Sequence, residues 1–250
     1  MNTRRLSLVF LVALTAIGPL TGCVGSGQGR IQLELPEDAE RIAVDIENFR
    51  GSVTLREWGS PRGRTVVVRS DLAFWKLDPA LREPVARGLE LDAEVIREPG
   101  GEVVRIRSSS AFPEQEDHHV NLSITTPRLD GVSIRTARGP VFVHATTAAV
   151  TVDTLDGDVE VRLDEPIDQP LTITTGAGDI TAHLHEASSL AVDALTLDGR
   201  VELDQENATL TGFRASTGRG RTLVNVPQDG VADAEVVLRS GEGVIELWFD

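Results

Sequence analysis

Tyrosine is absent from this 250-residue chain, which contains one cysteine, one methionine and one lysine, Lys76. Aromatic residues make up 4% of it, against 40% hydrophobic residues in all. A core made almost without aromatics or methionine has to come from Val, Leu, Ile and Ala, which suits a pleated surface more than a helical bundle. The single cysteine, Cys23, excludes an intramolecular disulfide, so burial alone has to hold the fold. Scarcity of lysine does not leave the chain neutral: 39 acidic residues face 24 basic ones, for a formal charge of −15. That balance excludes nucleic acid as a partner, because it needs a basic footprint, and it disfavours anionic lipid for the same reason. No apolar run reaches the roughly 20 residues of a membrane-spanning helix.

The N-terminus carries an address. Arg4 and Arg5 form a basic start, residues 6–17 are a short apolar stretch, and Leu20-Thr21-Gly22-Cys23 resembles the bacterial lipobox, in which small residues fit the peptidase and the thiol accepts diacylglycerol. Residues 1–22 are therefore expected to be a lipoprotein signal peptide, with Cys23 as the lipidated residue. A triacylated anchor at Cys23 would give lasting attachment, since one chain alone is marginal. Val24, rather than Asp, follows the cysteine, a pattern that resembles lipoproteins sent to the outer membrane where a cell has two. Residues 24–30 are rich in Gly and Ser and read as a flexible tether.

What the chain does have is a repeat. From residue 131 to the end, two alternating apolar-polar runs flank a glycine six times, at Gly139, Gly157, Gly178, Gly199, Gly220 and Gly243, in steps of 18, 21, 21, 21 and 23 residues. A further copy stands upstream around Gly51. A fixed step near twenty residues with period-2 runs inside it is the mark of a stacked β-repeat. Positions two and four after each glycine are nearly all apolar, as in Val159 and Val161, and the odd positions mostly polar, so one face of each strand should be core and the other solvent. The glycines should turn corners. A hydroxyl residue three positions earlier (Thr136, Thr154, Thr175, Thr217, Ser240, with Asn48 upstream) can bond backbone amides there. The copy at Gly199 is expected to break the rule at Ala194 and to carry a bulge. The spacing predicts an all-β fold, a parallel β-solenoid of about one coil per repeat, with a sandwich as the rival geometry.

Residues 31–250 form one domain on this reading, with 61–127 as an insertion or lid and 131–250 as the regular repeats. Inside the insertion, Asp78-Pro79 should start a helix and Gly88 should stop it, with Pro84 kinking or splitting it. Phe74 and Trp75 are expected in the lid core, or else as an exposed aromatic platform. Runs at 89–97 and 102–107 should form a hairpin around Pro99-Gly100-Gly101. Residues 111–119 should be a polar loop, and Val120, Leu122 and Ile124 a strand.

Gly157-Asp158-Val159 and Gly178-Asp179-Ile180, with the related Gly139-Pro140-Val141 and Gly199-Arg200-Val201, resemble the bacterial "putative adhesin" domains of undefined function, which repeat such Gly-Asp-Val/Ile β-segments. The resemblance covers about residues 31–250 and implies a fold. It implies no catalytic residues and no cofactor.

The candidate sites follow from stacking. Five residues after each glycine stand His144, Arg162, His183, Asp204, Asn225 and Trp248, and His183 shares a face with His185; Arg162 between two histidines repels a cation, which argues against a metal centre. Glu116, Asp117, His118 and His119 are a second metal candidate, although His118 and His119 would face opposite ways on a strand. Asp158 and Asp179 should stack as like charges, offset by Arg200 and Arg221 or by a weakly held calcium ion. Glu160 and Glu202 are expected two coils apart, which admits a polysaccharide-cleaving enzyme as a minority reading. The last strand, ending Leu247-Trp248-Phe249, is expected to leave an open solenoid end suited to self-association. The function expected is a non-catalytic, membrane-anchored envelope protein that binds protein or glycan. The competing readings are an envelope-stress or signalling accessory with a membrane partner, and the enzyme just named.

Overall fold

A computed structural model describes residues 6–9, 27–58, 63–74, 77–115, 117–146, 148–188, 190–204, 214–215, 221–225 and 234–249. In chain order the first strands are β1 (Leu6–Val9), β2 (Gly27–Glu34), β3 (Ile42–Asn48), β4 (Val53–Glu57) and β5 (Thr65–Phe74), followed by helix α1 (Pro79–Arg87), β6 (Leu89–Glu98), β7 (Gly101–Ser110) and β8 (His118–Thr126). The repeats supply strands in pairs: β9 (Gly131–Arg138) and β10 (Val141–Ala145), β11 (Ala149–Asp156) and β12 (Val159–Leu163), β13 (Leu171–Ala177) and β14 (Ile180–Leu184). Two long strands, β15 (Leu190–Asp204) and β18 (Ala234–Phe249), each run straight through their glycine, with β16 (Arg214–Ala215) and β17 (Arg221–Asn225) between them.

Each glycine marks where the chain leaves one sheet for the other. Segments before the glycines stack in parallel as β7, β3, β9, β11, β13 and the first halves of β18 and β15. Segments after them stack in parallel as β8, β4, β10, β12, β14 and the second halves of β18 and β15. The alternation holds as expected: Val141, Val159, Ile180 and Ile245 from one sheet and Ile134, Val152, Ile173 and Leu238 from the other are at most 1% exposed, and all join one core. Burying each such side chain stabilises by about 1.5–3 kcal/mol. The architecture is β-solenoid-like, with parallel rungs rising by roughly 4.8 Å.

Rung order departs from chain order at both ends. The upstream copy around Gly51 stacks directly on the Gly139 coil, so the 58–130 segment leaves the stack and returns to it. That segment is more than a lid, because β7 and β8 extend both sheets by one coil. Beyond them β5 and β2 continue one sheet antiparallel, and β6 and β1 the other. Helix α1 joins these two edges and buries Val85 and Ala86. Asp78 caps it through the Ala80 N–H at 2.9 Å and Gly88 ends it, as expected. Pro84 does not split it: one continuous helix of 9 residues absorbs the missing N–H. The 6–7 hairpin turns at Pro99-Gly100 as expected.

Two strands fall where other structure was expected. β2 begins at Gly27, so residues 27–30 of the expected tether are paired with Leu72–Arg69. β1 lies within the expected signal peptide and pairs with Leu91 and its neighbours along β6. At the far end, β18 inserts between β13/β14 and β15 rather than stacking last. The C-terminal strand is thus hydrogen-bonded on both sides, which corrects the expectation of an open end there. β17 runs antiparallel to β15, so the Gly220 copy does not add a parallel coil, and Gly220, Thr217 and Trp75 lie outside the described residues.

The corners explain the repeat spacing. Gly178 has φ 139°, a region that favours glycine, and a Cβ added there would lie 2.4 Å from the Gly157 carbonyl oxygen. The same approach recurs up the stack, so the glycines at 51, 139, 157, 178, 243 and 199 form one ladder of backbone against backbone. Gly199 sits in this ladder without a positive φ, and a Cβ there would meet the Gly243 carbonyl. Three of the buried hydroxyls donate to carbonyls of the neighbouring rung rather than bonding amides: Thr175 to Gly157 O at 3.1 Å, Ser240 to Gly178 O at 3.0 Å and Thr196 to Gly243 O at 3.0 Å. Thr136 reaches Arg138 O of its own rung at 3.5 Å, and Thr154 Oγ1 is buried without a hydrogen bond among the described residues. Asn48 donates its amide to Gly51 O of its own corner at 3.0 Å and to Val120 O of the neighbouring rung at 3.1 Å. Thr196, three before Gly199, fills the place that had been looked for at Ala194. β15 keeps one unbroken register with β18 from Leu190 to Asp204, and the expected bulge is absent.

Candidate interaction surface

Residues one, three and five after each glycine point outward from the post-glycine sheet, and parallel stacking sets them in rows. The first row carries the Gly-Asp motif. Asp158 Oδ1 accepts from the Asp179 N–H at 3.0 Å, and Asp179 Oδ1 accepts from the Val244 N–H at 2.7 Å. Each carboxylate therefore holds the backbone of the next rung. Asn121 of β8 does likewise for Ser52, at 3.0 Å. The residue stacked beneath Ser52 is Pro140, which has no N–H to satisfy. These bonds answer the like-charge cost without calcium. Arg200 is separated from Asp179 by Val244, and Arg221 lies on the antiparallel β17, so neither offsets the pair as expected.

The second row runs Thr54, Phe142, Glu160, Thr181, Glu246, Glu202. Because β18 is interposed, Glu160 and Glu202 stand three rungs apart, roughly 14 Å, rather than two. That separation is past the roughly 6.5–9.5 Å of an inverting carboxylate pair.

The third row runs Arg56, His144, Arg162, His183, Trp248 and, at the register position beyond it, Asp204. Trp248 lies beside His183 instead of at the end of the series, and the two rings stack at 5.9 Å and 18°. Asn225, expected in this row, instead faces Val192 across the antiparallel pair. His144 Nε2 lies 2.7 Å from Asp164 Oδ2, and Arg162 Nε 3.2 Å from Asp164 Oδ1. Burial acts to raise the Asp164 carboxyl, but hydrogen bonds from His144 and Arg162 outweigh it and hold it below the usual carboxylate value. His185 is past the strand end, where its Nδ1 accepts from Ala187 N–H at 3.1 Å. Phe142 and Trp248 on this face are 40% and 36% exposed, and Trp58, just past β4, is 71% exposed. The outward alternation after Gly139 would have singled out Phe142. Trp58 follows a strand by one residue and had no such signal. Phe74 is buried, which rules it out as an exposed platform.

The second metal candidate comes apart. His118 opens β8 with its side chain fully buried, packed against Phe49 at 5.4 Å with Nε2 2.7 Å from Ser110 Oγ. His119 is on the opposite face. Burial lowers the His118 pKa first, aided by the Arg50 charge; burial also lowers that of His119, against the opposing effect of Asp71. Glu116 is not among the described residues, and among those residues no three His, Cys, Asp or Glu side chains gather to hold a metal.

Two stacked sheets with a glycine ladder at the corner and rows of outward side chains define a repeat domain of the β-solenoid-like class. The chain belongs to the Toastrack DUF4097 family, which matches residues 118–242. It is similar in structure to a "putative cell adhesion protein" of Clostridium sporogenes, at 13% identity and TM-score 0.61, over 90% of this chain and 100% of that one. It is also matched to a "putative adhesin" of Bacteroides fragilis, at 11% identity and TM-score 0.29, over 88% of this chain and 96% of that one. No curated protein matches the sequence. The resemblance drawn from the Gly-Asp segments is thereby shown as to family and fold: this is a Toastrack domain of undefined function. Among the described residues no helix is long and apolar enough to cross a membrane.

Proposed function

We propose that the protein is a lipid-anchored component of the bacterial cell envelope, attached through acylated Cys23, that binds protein or glycan and performs no chemistry. The observation that carries this reading is the row Arg56, His144, Arg162, His183, Trp248, with Phe142 beside it and Trp58 just beyond it. This row sets cationic and aromatic side chains, beside the carboxylates of Glu160, Glu246, Glu202 and Asp164, at a fixed spacing of roughly 4.8 Å on a two-sheet scaffold. Aromatic and arginine side chains supply most of the energy at binding surfaces. Glycan arrays and whole-cell binding with the full chain test it. Trp248→Ala and Arg162→Ala should each lower binding about tenfold or more while leaving the melting temperature within a few degrees. Retention of full binding by both variants would remove this face from the function. The anchor is tested separately: Cys23→Ser should abolish labelling by radioactive palmitate and move the protein from the membrane to the soluble fraction.

A further inference from the structure

The same outer face ends, at the β5–β2 edge, in a hollow of about 550 Å³ lined chiefly by polar side chains. This is within the roughly 300–1,000 Å³ of small-ligand sites. Its floor continues two of the rows already described. One is Arg30, Arg69, Ser123, Thr54; the other is Gln28, Asp71, Asn121, Ser52.

Charge singles out the first row. On the opposite sheet the arginines are matched to carboxylates on adjoining strands, as Arg107 is to Asp45 and Glu47, Arg135 to Glu47, and Arg239 to Asp193. Arg30 and Arg69 instead stand directly opposite each other across β2 and β5, and neither has an ion pair or hydrogen bond among the described residues. Directly opposed like charges destabilise a sheet. None of the described acidic residues pairs with either arginine. Two guanidinium groups side by side make a seat for a carboxylate.

The second row supplies the complement. Asp71 lines the hollow and brings a carboxylate to it. Asn121 Oδ1 is already taken by the Ser52 N–H and Oγ, both at 3.0 Å, which leaves its NH₂ group to donate. No aromatic side chain lines the hollow, so a ligand is held by polar contacts rather than by stacking. The two rows are two residues apart along each strand, roughly 7 Å, about the breadth of one sugar ring.

We infer that this hollow binds a sugar acid, with its carboxylate on Arg30 and Arg69 and its ring hydroxyls on Asp71, Asn121 and Ser123. The inference rests on the reading of the protein as a binder and gives that reading a second, chemically defined subsite. Calorimetric titration of the full chain with glucuronate and with tetragalacturonate, against glucose, maltotetraose, acetate and inorganic phosphate, tests it. Uronates should bind, and the neutral sugars and small anions should bind at least tenfold more weakly. Arg69→Gln and Asp71→Asn should each cost tenfold or more, and Leu155→Ala, an exposed residue on the opposite sheet, should change nothing. Arg30→Gln provides the same test from the other strand should Arg69→Gln fail to fold. Equal binding of glucose would remove the arginine pair, and equal binding of acetate or phosphate would reduce the site to a simple anion seat; either result overturns the inference. Failure of uronate binding while Trp248-dependent cell or glycan binding persists sinks the subsite alone. Failure of both sinks the binding function with it.

Discussion

At the scale of single residues, the Gly-Asp pair is a joint between rungs. The glycine lets one backbone approach the next to a distance no side chain would permit, and the aspartate then accepts the N–H which that approach presents. Gly178→Ala forces a methyl group to within 2.4 Å of the Gly157 oxygen in a backbone region that L-residues avoid. It should destabilise the protein by about 1–3 kcal/mol, measured by urea unfolding. Asp179→Ala removes the acceptor for Val244 N–H and should cost about 1–3 kcal/mol, whereas Asp179→Asn keeps a carbonyl oxygen in place and should cost less. Because the amides rather than a cation satisfy these carboxylates, EDTA should leave the melting temperature unchanged. A calcium-dependent melt that Asp179→Asn abolishes would mean the carboxylates hold an ion.

At the scale of elements, β8 couples an outward row to a buried histidine. His118 is enclosed between β7 and the Phe49 corner, and burial depresses its pKa below the ordinary histidine value. A depressed histidine pKa means that the unfolded chain binds the proton more readily than the folded one. Stability is then fully present above the ordinary value near 6.5 and falls as pH drops through it towards the folded value. Replacing His118 by Leu should flatten that acid limb of the stability–pH curve relative to the parent, whatever it does to stability at pH 8. An unchanged slope would place the proton elsewhere. Much of the element structure was legible beforehand. Period-2 alternation located the strands of the regular coils, the capping residues located α1, and Pro99-Gly100 located its hairpin. What alternation could not convey was pairing. Parallel rungs carry the same apolar pattern whichever neighbour they meet, so nothing in Val244–Leu247 distinguishes a place at the end of the stack from a place inside it. Thr196 stands three residues before Gly199, so the count that places Thr175 and Ser240 places it from the sequence as well, and no bulge at Ala194 is needed. The hollow was illegible because its arginines come from strands 39 residues apart in the chain, facing one another only across an antiparallel pair outside the repeat.

At the scale of the whole molecule, the interposed C-terminal strand changes how the repeats share stability. In a linear solenoid each coil leans only on its neighbours, and trimming the last coil costs little beyond that coil. Here β18 carries the glycine ladder from Gly178 to Gly199 and spans both sheets, with β13 and β14 on one side and β15 on the other. Removing residues 244–250 would leave the edge of β14 unpaired, strip the partner from the second half of β15 and uncover Ala182 and Leu184 together. The first-half pairings of β18 would remain, so the two sheets would lose their match at that rung. The truncated chain should therefore lose the second half of β15 as well as its own six strand residues, and should unfold at lower urea with a smaller m-value, since less surface is buried to begin with. Hydrogen exchange should show Arg200–Leu203 unprotected in the truncated chain and the coils from Gly51 to Gly178 protected in both. Continued protection of Arg200–Leu203 after the truncation would mean that the second half of β15 holds to the stack without the second half of β18, and that the C-terminal strand is an addition to the solenoid rather than a rung within it.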